Sequence, residues 1–596
     1  LQEFLKIPEV WNYVQNSHQS NDGYMRDFCD GQHIKLHPVL GQNPSALQIV
    51  IYTDDIEVVN PIGTHVKKHK ITVFYYSLLN IPPEFRSQLH TMQLLAIAKT
   101  SDMKTYGPSS LLSDFVQTIN LLSDGGIIME LHGDVHNVKG ALAYVPADTP
   151  ASNWLGGFKQ GVSFSYKICR TCNASNNDIK QQFCESDFTM RDIEVHKRRS
   201  QTIESLRKEG KQHFSKLWGI NNSSVLNEIH HFNVCQNLVH DPMHLFLEGL
   251  VKTELQLVLF DQIINKKNFK LSWLTHQIEA YPYSYLQKDS KPEAIDRKQV
   301  LGLTPFKQTA SAVMTLCEIL PHIIGLKADI DPKWLNFLRL VQCLFISTTP
   351  ICNADTTGML TQLIFTHHQE FRKLYPKATI TPKMHYCIHL PTQMKEFGPL
   401  RHLWCMRFEG KHGFFKSKKW KCFKNLPLSM AKKHQLHACH KQTMSLKNPN
   451  YLYAGDMLRE DSHVVLSEFY PDLSPFFQGV FDDFDDSTQV YHTTSAIIHG
   501  INYQVGCILL LAVENWVPVF GLCIDIVSHK DCKFFIVERS NTEYYIPNLL
   551  SYKIERTDEL LILPQKTMTF KWPSWPQKLQ GQTVVLYRYL HFTEHF

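Results

Sequence analysis

The stretch ALQIVIYTDD at residues 46–55 decides the fold, because a run of β-branched and aromatic residues typical of a buried strand ends abruptly in two carboxylates. Two further apolar runs, KITVFYYSLL at 70–79 and TMQLLAIAKT at 91–100, predict two more strands. The stretch SSLLSDFVQTINLLSDGG at 109–126 has apolar residues at helical spacing and ends in two glycines, where a helix would stop. GALAYVPAD at 140–148 predicts another strand, again with an acid at its end.

The order β-β-β-α-β, with acids at the ends of strands, predicts the start of a ribonuclease H-like α/β core. Asp54 and Asp55 point to opposite faces of their strand, and the pattern does not choose between them because both faces are apolar. For a second acid, Asp148 at a strand end competes with Asp134 in HGDVHN, which we interpret as a turn residue.

The rest of the chain predicts an α/β protein whose ribonuclease H-like core is interrupted by a mostly helical insertion and followed by a small C-terminal β domain. Long helical patterns such as DPMHLFLEGLVKTELQLVLFDQII indicate the insertion, and short alternating runs such as KFFIVER indicate the β domain. The predicted segments are an N-terminal segment at 1–45, truncated because the chain starts at Leu1; the first part of the core at 46–180; the helical insertion at 181–370; the completion of the core at 371–473; an acidic linker at 474–490; and a small β-barrel or sandwich at 491–596.

The composition sets outer limits on the function. The chain has 596 residues, 43% of them hydrophobic, which is enough for a large core. Its net charge of +5 does not identify a polyanion-binding protein by itself. The 15 cysteines show no regular framework, which favours reduced thiols in the cytosol or nucleus over a secreted disulfide scaffold. The longest apolar run is too short to cross a bilayer, so we expect no membrane partner.

A candidate zinc site is split between two distant segments. Cys169 and Cys172 in CRTC supply two thiols from one tight turn, which is the usual half of a tetrahedral zinc site. His385 and His389 in PKMHYCIHLP lie one helical turn apart and supply the other half. The alternatives are a redox-active or simply buried thiol pair and two unrelated histidines on a helix face. A closed Cys2His2 site would be structural, because four protein ligands leave no open position.

A strongly basic segment at 411–441 predicts DNA binding. It holds nine lysines, four histidines and no acid. Lysines at this density neutralise phosphates, and the interleaved aromatic residues could pack inward or stack on distorted DNA ends. The alternative is a solvated basic helix. The residues that we assign to DNA are Lys411, Lys416, Lys418, Lys419, Lys421 and Lys424.

His244 and Glu248 in HDPMHLFLEGL share a helical face and lie close to His240, which could be mistaken for a second metal site. The segment lacks the two-histidine spacing of zinc hydrolases around that glutamate. We therefore predict a structural role, with a part in shaping the site left open.

Taken in order, six motifs resemble the transposases of the CACTA group, also called En/Spm. The motifs are YTDDIEVVNPIG, PADTP, CRTC, HYCIHL, GPLRHLW and RFEGKHGFFK. They are more remotely similar to the catalytic subunit of the V(D)J recombinase, where two aspartates, a Cys pair, a His pair and a final Glu occur in the same order. The resemblance covers roughly residues 45 to 445.

The resemblance implies a ribonuclease H-like core in which Asp54, Asp148 and Glu409 bind two Mg²⁺ or Mn²⁺ ions. The family's arrangement favours Asp54 over Asp55 as the bridging ligand, with Asp148 on one ion and Glu409 on the other. The implied activity is DNA transposition, by metal-dependent hydrolysis and strand transfer at transposon ends. It also implies a nuclear protein that binds DNA and forms a homo-oligomer. The alternatives are a domesticated relative that binds DNA without cutting it and a zinc hydrolase.

Overall fold

The structure, a computed structural model, describes residues 1–16, 18–58, 70–328, 330–417, 420, 424–447, 451–452, 456–459, 462–481, 484–485 and 487–590. It is a mixed α/β protein. Its contacts divide it into two compact units, the first formed by Leu1–Leu250 with Ser347–Ala454 and the second by Val251–Ile346 with Gly455–Phe596. The predicted insertion at 181–370 contributes to both units.

The strands show where the β structure concentrates. In chain order they are β1 (Leu47–Glu57), β2 (Lys70–Leu78), β3 (Gln93–Lys99), β4 (Ile127–Leu131), β5 (Asp134–Val138), β6 (Gly140–Tyr144), β7 (Met457–Arg459), β8 (Ser462–Val465), β9 (Gln489–Thr493), β10 (Ser495–Ile498), β11 (Ile501–Gln504), β12 (Ile508–Glu514), β13 (Val517–His529), β14 (Cys532–Ile546), β15 (Ser551–Pro564), β16 (Gln577–Leu579) and β17 (Gln582–Val585).

The α-helices occupy most of the sequence between the two groups of strands. In chain order they are α1 (Gln2–Leu5), α2 (Pro8–Gln15), α3 (Gln32–Leu36), α4 (Pro83–Arg86), α5 (Thr100–Tyr106), α6 (Ser109–Asp124), α7 (Thr149–Leu155), α8 (Ile193–Ser205), α9 (Lys208–Trp218), α10 (Val251–Phe260), α11 (Leu271–Glu279), α12 (Arg297–Val300), α13 (Ala310–Ile324), α14 (Pro332–Ser347), α15 (Ala354–Leu374), α16 (Pro382–Cys387), α17 (Leu390–Phe397), α18 (Met406–Lys411), α19 (Gly413–Lys416), α20 (Leu426–Lys447), α21 (Leu466–Phe469) and α22 (Ser474–Val480). Two π-helices, Met243–Leu250 and Asp261–Asn265, lie in the same region.

The first unit contains a four-stranded sheet with the order β3-β2-β1-β6. Neighbouring strands are antiparallel except β1 and β6, which are parallel. This confirms the predicted β-β-β-α-β order, with α6 between β3 and β6. The sequence analysis missed the hairpin of β4 and β5, which are five residues each, because β4 (IIMEL) is a short apolar run without alternation and β5 (DVHNV) is largely polar.

Both faces of β1 are covered, each by different partners. Leu47, Ile49 and Ile51 lie in one apolar cluster with Leu112 and Val116 of α6. Each such buried aliphatic side chain contributes roughly 1.5–3 kcal/mol relative to the exposed state. Side chains alternate along a strand, so the even-numbered residues face the opposite side. β1 continues past the two aspartates to Glu57, and this alternation places Asp54 and Asp55 on opposite faces.

The segment 181–370 contains α8 to α15 and no strand among the residues that the structure describes. Its helical character is therefore as predicted. Within the described part of the chain, no helix has both the length and the apolar character required to cross a membrane.

The second unit contains the C-terminal β structure. An antiparallel sheet has the order β16-β17-β15-β14-β13-β9-β8, with β12 also paired to β13, and a three-stranded sheet has the order β11-β10-β7. The predicted acidic linker at 474–490 is not simply an exposed linker. It begins with α22, and Phe477 and Phe484 are buried against Val527 and Phe534, because its aromatic residues supply apolar surface between the acids. Asp482, Asp483 and Asp486 lie outside the described residues.

Candidate functional site

The face of β1 that carries Asp54 is covered by the helix that carries Glu409. Tyr52 and Asp54 share this face because they are two residues apart on a strand. The ring of Phe408 in α18 stacks on Tyr52 with centroids 4.8 Å apart and planes 8° apart. His412, which follows α18, places its Nδ1 3.7 Å from Asp54 Oδ2. The neighbouring residue Glu409 is therefore held beside the end of β1.

Asp55 points to the other face and has partners there. Its carboxylate accepts hydrogen bonds from Thr72 at 2.5 Å and Thr100 at 3.2 Å, and it forms an ion pair with Lys70 at 3.1 Å. Of the two aspartates that the sequence left open, Asp54 is the one on the side of Glu409.

Asp148 reaches the same neighbourhood from a helix start. The predicted strand at 140–148 is shorter than expected, since β6 ends at Tyr144. Asp148 instead caps α7, with Oδ1 accepting the Ala151 amide at 2.6 Å, and Oδ2 is left for another ligand. Asp134 is not a turn residue as predicted: it begins β5 and pairs with Leu131, while the tight turn of this exposed hairpin lies just before it at His132 and Gly133.

The carboxylates of Asp54, Asp148 and Glu409, called here the acidic site, influence one another. Burial raises the pKa of Asp54 to about 6, with the Asp55 amide lowering it and the charge of Asp148 raising it. Burial raises the pKa of Glu409 to about 7; the charge of His244 opposes this shift, and the charges of Glu248 and Asp54 add to it. The three acids thus form one electrostatic site.

The surroundings of the acidic site differ from those of Asp55. Among the described residues, no Lys or Arg forms an ion pair with Asp54, Asp148 or Glu409, in contrast to Asp55 with Lys70. The three carboxylates do not form a described group whose ligand atoms all lie within 4.8 Å of one another.

Divalent-cation binding at the acidic site should depend on pH, because bound cations require ionised carboxylates. The pKa values of about 6 for Asp54 and about 7 for Glu409 lie above the ordinary values. Their protonated forms are therefore favoured in the metal-free fold. The contribution of these protonated carboxyls to the free energy of unfolding is fully present below the ordinary pKa of a carboxylic acid, and it is lost as the pH rises through 6 for Asp54 and through 7 for Glu409. We expect Mn²⁺ affinity to rise between pH 5 and pH 8, by about one log unit per pH unit for each displaced proton.

Calorimetric titration of Mn²⁺ in buffers of different ionisation enthalpy would count the released protons. The wild type should release protons near pH 6, and Asp54→Asn should release fewer. Mn²⁺ affinity that stays constant across this range would contradict the assignment.

His244 and Asp241 also belong to this region. The sequence analysis left open a part for His244 in shaping the site, and it did not single out Asp241. His244 Nδ1 lies 2.5 Å from Asp241 Oδ2, and its Nε2 lies 3.4 Å from Glu409 Oε1. Burial lowers the pKa of His244, but the hydrogen bond and charge of Asp241 and the charges of Glu409 and Asp148 outweigh it and raise the pKa to about 9. The available signal was the spacing Asp-x-x-His directly before a helical pattern.

Cys169, Cys172, His385 and His389 form a buried group, called here the Cys/His cluster, whose ligand atoms all lie within 4.8 Å of one another. His389 Nε2 lies 3.5 Å from Cys169 Sγ, and His385 Nε2 lies 3.2 Å from Cys172 Sγ. His389 turns its other nitrogen to Glu185 Oε1 at 2.6 Å, as metal-ligating histidines usually do with a carboxylate. These four residues could bind a metal ion such as zinc.

The surroundings of Cys169 favour the thiolate form of its side chain. Burial by itself raises the pKa of Cys169, but the hydrogen bond from Cys172 and the charge of His389 bring it well below the usual value. The thiolate is the form that binds metal. Two sulfur and two nitrogen donors in a buried tetrad are the donor set of structural zinc sites.

The predicted DNA-binding lysines differ in their exposure to solvent. Lys411 is buried, and its Nζ donates to the Leu89 carbonyl at 2.6 Å, so it does not face a DNA ligand. Burial lowers its pKa to about 8. Lys416 and Lys424 are exposed, as predicted for phosphate contacts. Lys418, Lys419 and Lys421 lie outside the described residues.

The aromatic residues of the basic segment pack largely inward. Phe415 is fully buried and stacks on Tyr75 and His434. The Trp420 Nε1 donates to the Phe415 carbonyl at 2.9 Å. Phe423 lies outside the described residues. Additional exposed cations lie on α20, at Lys432, Lys433 and Lys441.

Comparison with models of known protein families matches none of them to this chain. Comparison with curated proteins also yields no match.

Proposed function

We propose that this chain is a cut-and-paste DNA transposase similar to the CACTA (En/Spm) group, with a ribonuclease H-like core in which Asp54, Asp148 and Glu409 hold two Mg²⁺ or Mn²⁺ ions. The observation that supports it most is the packing of Phe408 on Tyr52, which brings Glu409 to the face of β1 that carries Asp54. Asp54 and Glu409 are more than 300 residues apart in the sequence. Both are half-buried and have no Lys or Arg ion-pair partner among the described residues.

Each acid has a distinct part in this proposal. When bound, the two ions would activate water and stabilise the attacking and leaving oxygens of a phosphodiester. Asp54 Oδ1 accepts the Asp55 amide at 2.7 Å, so Oδ2 is the oxygen with which Asp54 would hold the ions. Asp148 presents the oxygen that does not cap α7, and Glu409 closes the site from α18.

The reaction proceeds in two phosphoryl transfers at this site. In the first, water attacks a phosphorus at the transposon end, and the broken P–O bond releases a 3′-hydroxyl. In the second, that hydroxyl attacks a target phosphodiester, so a new P–O bond joins the transposon to the target as the target strand breaks.

The Cys/His cluster supports the proposal as a structural zinc site. It joins the turn after α7 to α16, which precedes α18 in the chain. Four protein ligands leave no open position for water, which argues against a zinc hydrolase. Zinc therefore stabilises the core, and Mg²⁺ or Mn²⁺ serves the chemistry.

The partners follow from the same proposal. DNA, as transposon ends and as target, meets the exposed lysines that follow Glu409 in the chain. Because both ends of an element must be cut and joined together, we propose a homo-oligomer. Its DNA substrate places the protein in the nucleus.

Incubation with Mg²⁺ or Mn²⁺ and DNA carrying the ends of the element tests this function. We expect nicks at the ends that expose 3′-hydroxyls, that require Mg²⁺ or Mn²⁺, and that are not restored by Zn²⁺ alone. Binding of these ends without any nicking would leave the alternative, a domesticated relative that binds DNA without catalysis. Nicking that needs zinc and no Mg²⁺ would favour the zinc hydrolase.

The exposed lysines predict the salt dependence of DNA binding. Replacing Lys416 and Lys424 together by Ala should weaken binding to any DNA sequence. The slope of log affinity against log salt is negative, and each lost phosphate contact makes it less steep by about 0.9. Loss of the pair should therefore make it less steep by about 1.8. Fluorescence anisotropy over a salt series measures this slope.

Lys208 and Lys211 of α9 are also exposed and provide a control pair with the same loss of charge. Their replacement by Ala should leave the slope nearly unchanged. Equal effects of the two pairs would mean that Lys416 and Lys424 make no specific contribution.

A further inference from the structure

One buried carboxylate, that of Asp241, connects to Glu409 by two routes. Its Oδ2 accepts from His244 Nδ1 at 2.5 Å, and His244 Nε2 lies 3.4 Å from Glu409 Oε1. Its Oδ1 accepts the amide of Cys405 at 3.2 Å. Cys405 precedes α18, and its carbonyl accepts the Glu409 amide at 2.9 Å. Asp241 therefore contacts both the side-chain neighbour and the backbone support of Glu409.

The helix that carries His244 is irregular at this point. Residues Met243–Leu250 form a π-helix, and Glu248 within it has non-helical angles, with φ −105° and ψ 17°. Such π-helical turns occur frequently at functional sites. Lys383 of α16 donates its Nζ to the carbonyls of His244 at 2.8 Å and Glu248 at 3.0 Å, so the irregular turn is fixed by a side chain from outside it.

Asp241 itself is fixed by the turn that holds the cysteines of the Cys/His cluster. Arg170 donates to the carbonyls of Leu238 at 2.8 Å and Val239 at 2.7 Å. The Thr171 hydroxyl lies 2.9 Å from Nε2 of His240, the residue immediately before Asp241. Gln393 accepts from the His240 amide at 2.7 Å and donates to its carbonyl at 2.8 Å. The segment before Asp241 therefore has little freedom to shift.

Asp241, His244 and Cys405 also bring three possible metal ligands within 4.8 Å of one another. A metal there is disfavoured because the Asp241 oxygens already accept from N–H groups of Met243, His244 and Cys405. Burial also raises the pKa of the Cys405 thiol well above its usual value, which keeps it protonated. The contacts of this group with Glu409 and with the backbone at Cys405 explain it better than a bound metal ion does.

We propose that Asp241 and His244 are positioning residues that orient Glu409 for binding a divalent cation. This inference rests on the proposed function, because it assigns a role only if the acidic site binds metal. In other metal sites, residues that contact a metal ligand but not the metal orient that ligand, and Asp241 and His244 would do the same for Glu409. Replacement of such residues typically weakens metal binding by about 10- to 100-fold.

Two variants separate the routes. Asp241→Asn keeps an oxygen that can accept amide hydrogen bonds but loses the charge that faces His244. His244→Asn places an amide nitrogen near the position of Nδ1, so it can keep the contact with Asp241 but cannot reach Glu409. The exposed pair of His230 and Asp124, with Nδ1 and Oδ1 2.9 Å apart, provides the control variant Asp124→Asn.

Mn²⁺ affinity of the zinc-loaded full chain, measured by calorimetry, tests the inference, with the melting temperature and the zinc content as checks on folding. We expect about 10- to 100-fold weaker Mn²⁺ binding in Asp241→Asn and His244→Asn and no change in Asp124→Asn. If Asp241→Asn fails to fold, His244→Asn decides, because it leaves the Asp241 contacts to the backbone in place.

The outcomes distinguish this inference from the proposed function. Wild-type Mn²⁺ affinity in His244→Asn, together with weakened binding in Glu409→Gln, would overturn the positioning role and leave the metal site intact. Wild-type affinity in both Asp54→Asn and Glu409→Gln would overturn the metal site and the positioning role together. A drop in melting temperature without a change in Mn²⁺ affinity would show that Asp241 and His244 serve only stability.

Discussion

Asp54→Asn should abolish nicking of transposon-end DNA in Mg²⁺ or Mn²⁺, while Asp55→Asn should retain it. An amide in place of the bridging carboxylate loses a charged ligand oxygen for both ions. A loss of about 4 kcal/mol of transition-state stabilisation corresponds to a roughly 10³-fold lower rate. The rate of nicking at saturating metal, measured on end-labelled DNA, gives the comparison.

Asp55→Asn is a matched control because it removes the same charge from the next residue of the same strand. It gives up the half-buried ion pair with Lys70 and keeps an oxygen that can accept from Thr72 and Thr100, so we expect a loss of stability of about 1 kcal/mol. If Asp55→Asn inactivates and Asp54→Asn does not, the metals bind on the other face of β1. In that case, the position of Glu409 beside Tyr52 would have no catalytic meaning.

Removal of the metal from the Cys/His cluster should destabilise the first unit of the protein. Cys172→Ser should reduce bound zinc from one ion per chain to none, because serine is a poor zinc ligand. A ligand held at 1,000 times its dissociation constant stabilises the fold by about 4 kcal/mol, and this contribution would be lost. Thermal unfolding and zinc content by elemental analysis measure the two effects.

Cys387→Ala is the matched control, since Cys387 is buried in the same helix as His385 but lies outside the Cys/His cluster. It should keep one zinc ion per chain and lose only about 1 kcal/mol of stability, as average substitutions do. Equal zinc content in wild type and Cys172→Ser would show that these four residues do not bind zinc.

Much of the first sheet could be predicted because its strands are continuous apolar runs. The same continuity hid the orientation of its last residues. Asp54 and Asp55 look alike in a strand buried on both faces. The stacking of Phe408 on Tyr52 and the contacts of Asp55 with Lys70 and Thr72 distinguish them. That contact joins segments more than 300 residues apart, and local patterns carry no information about it.

Burial explains the other differences between prediction and structure. Lys411 belongs to a strongly basic segment, yet its ammonium group turns inward to the Leu89 carbonyl, which charge counting does not reveal. Asp148 ends an apolar run, but the proline and small residues after Tyr144 lead into a helix, so it becomes a cap. The Cys and His pairs that form the Cys/His cluster could be singled out from the sequence because the two residues of each pair are only three or four positions apart.

The surroundings of His244 could not be predicted from its own motif alone. By spacing alone, His244 and Glu248 looked like two residues on one helix face with a structural role. The structure surrounds His244 with Asp241, Glu248 and Glu409, at distances of 2.5, 3.8 and 3.4 Å. A histidine among three carboxylates is held by charge as well as by packing, and the sequence shows none of these distances.

The most direct test of the central claim is a crystal structure of the protein soaked in Mn²⁺, with anomalous scattering recorded at the manganese edge. We expect two peaks roughly 3.5–4 Å apart, with Asp54 contacting both, Asp148 one and Glu409 the other. Manganese peaks that involve neither Asp54 nor Glu409, or no peak between β1 and α18 at saturating Mn²⁺, would contradict the account.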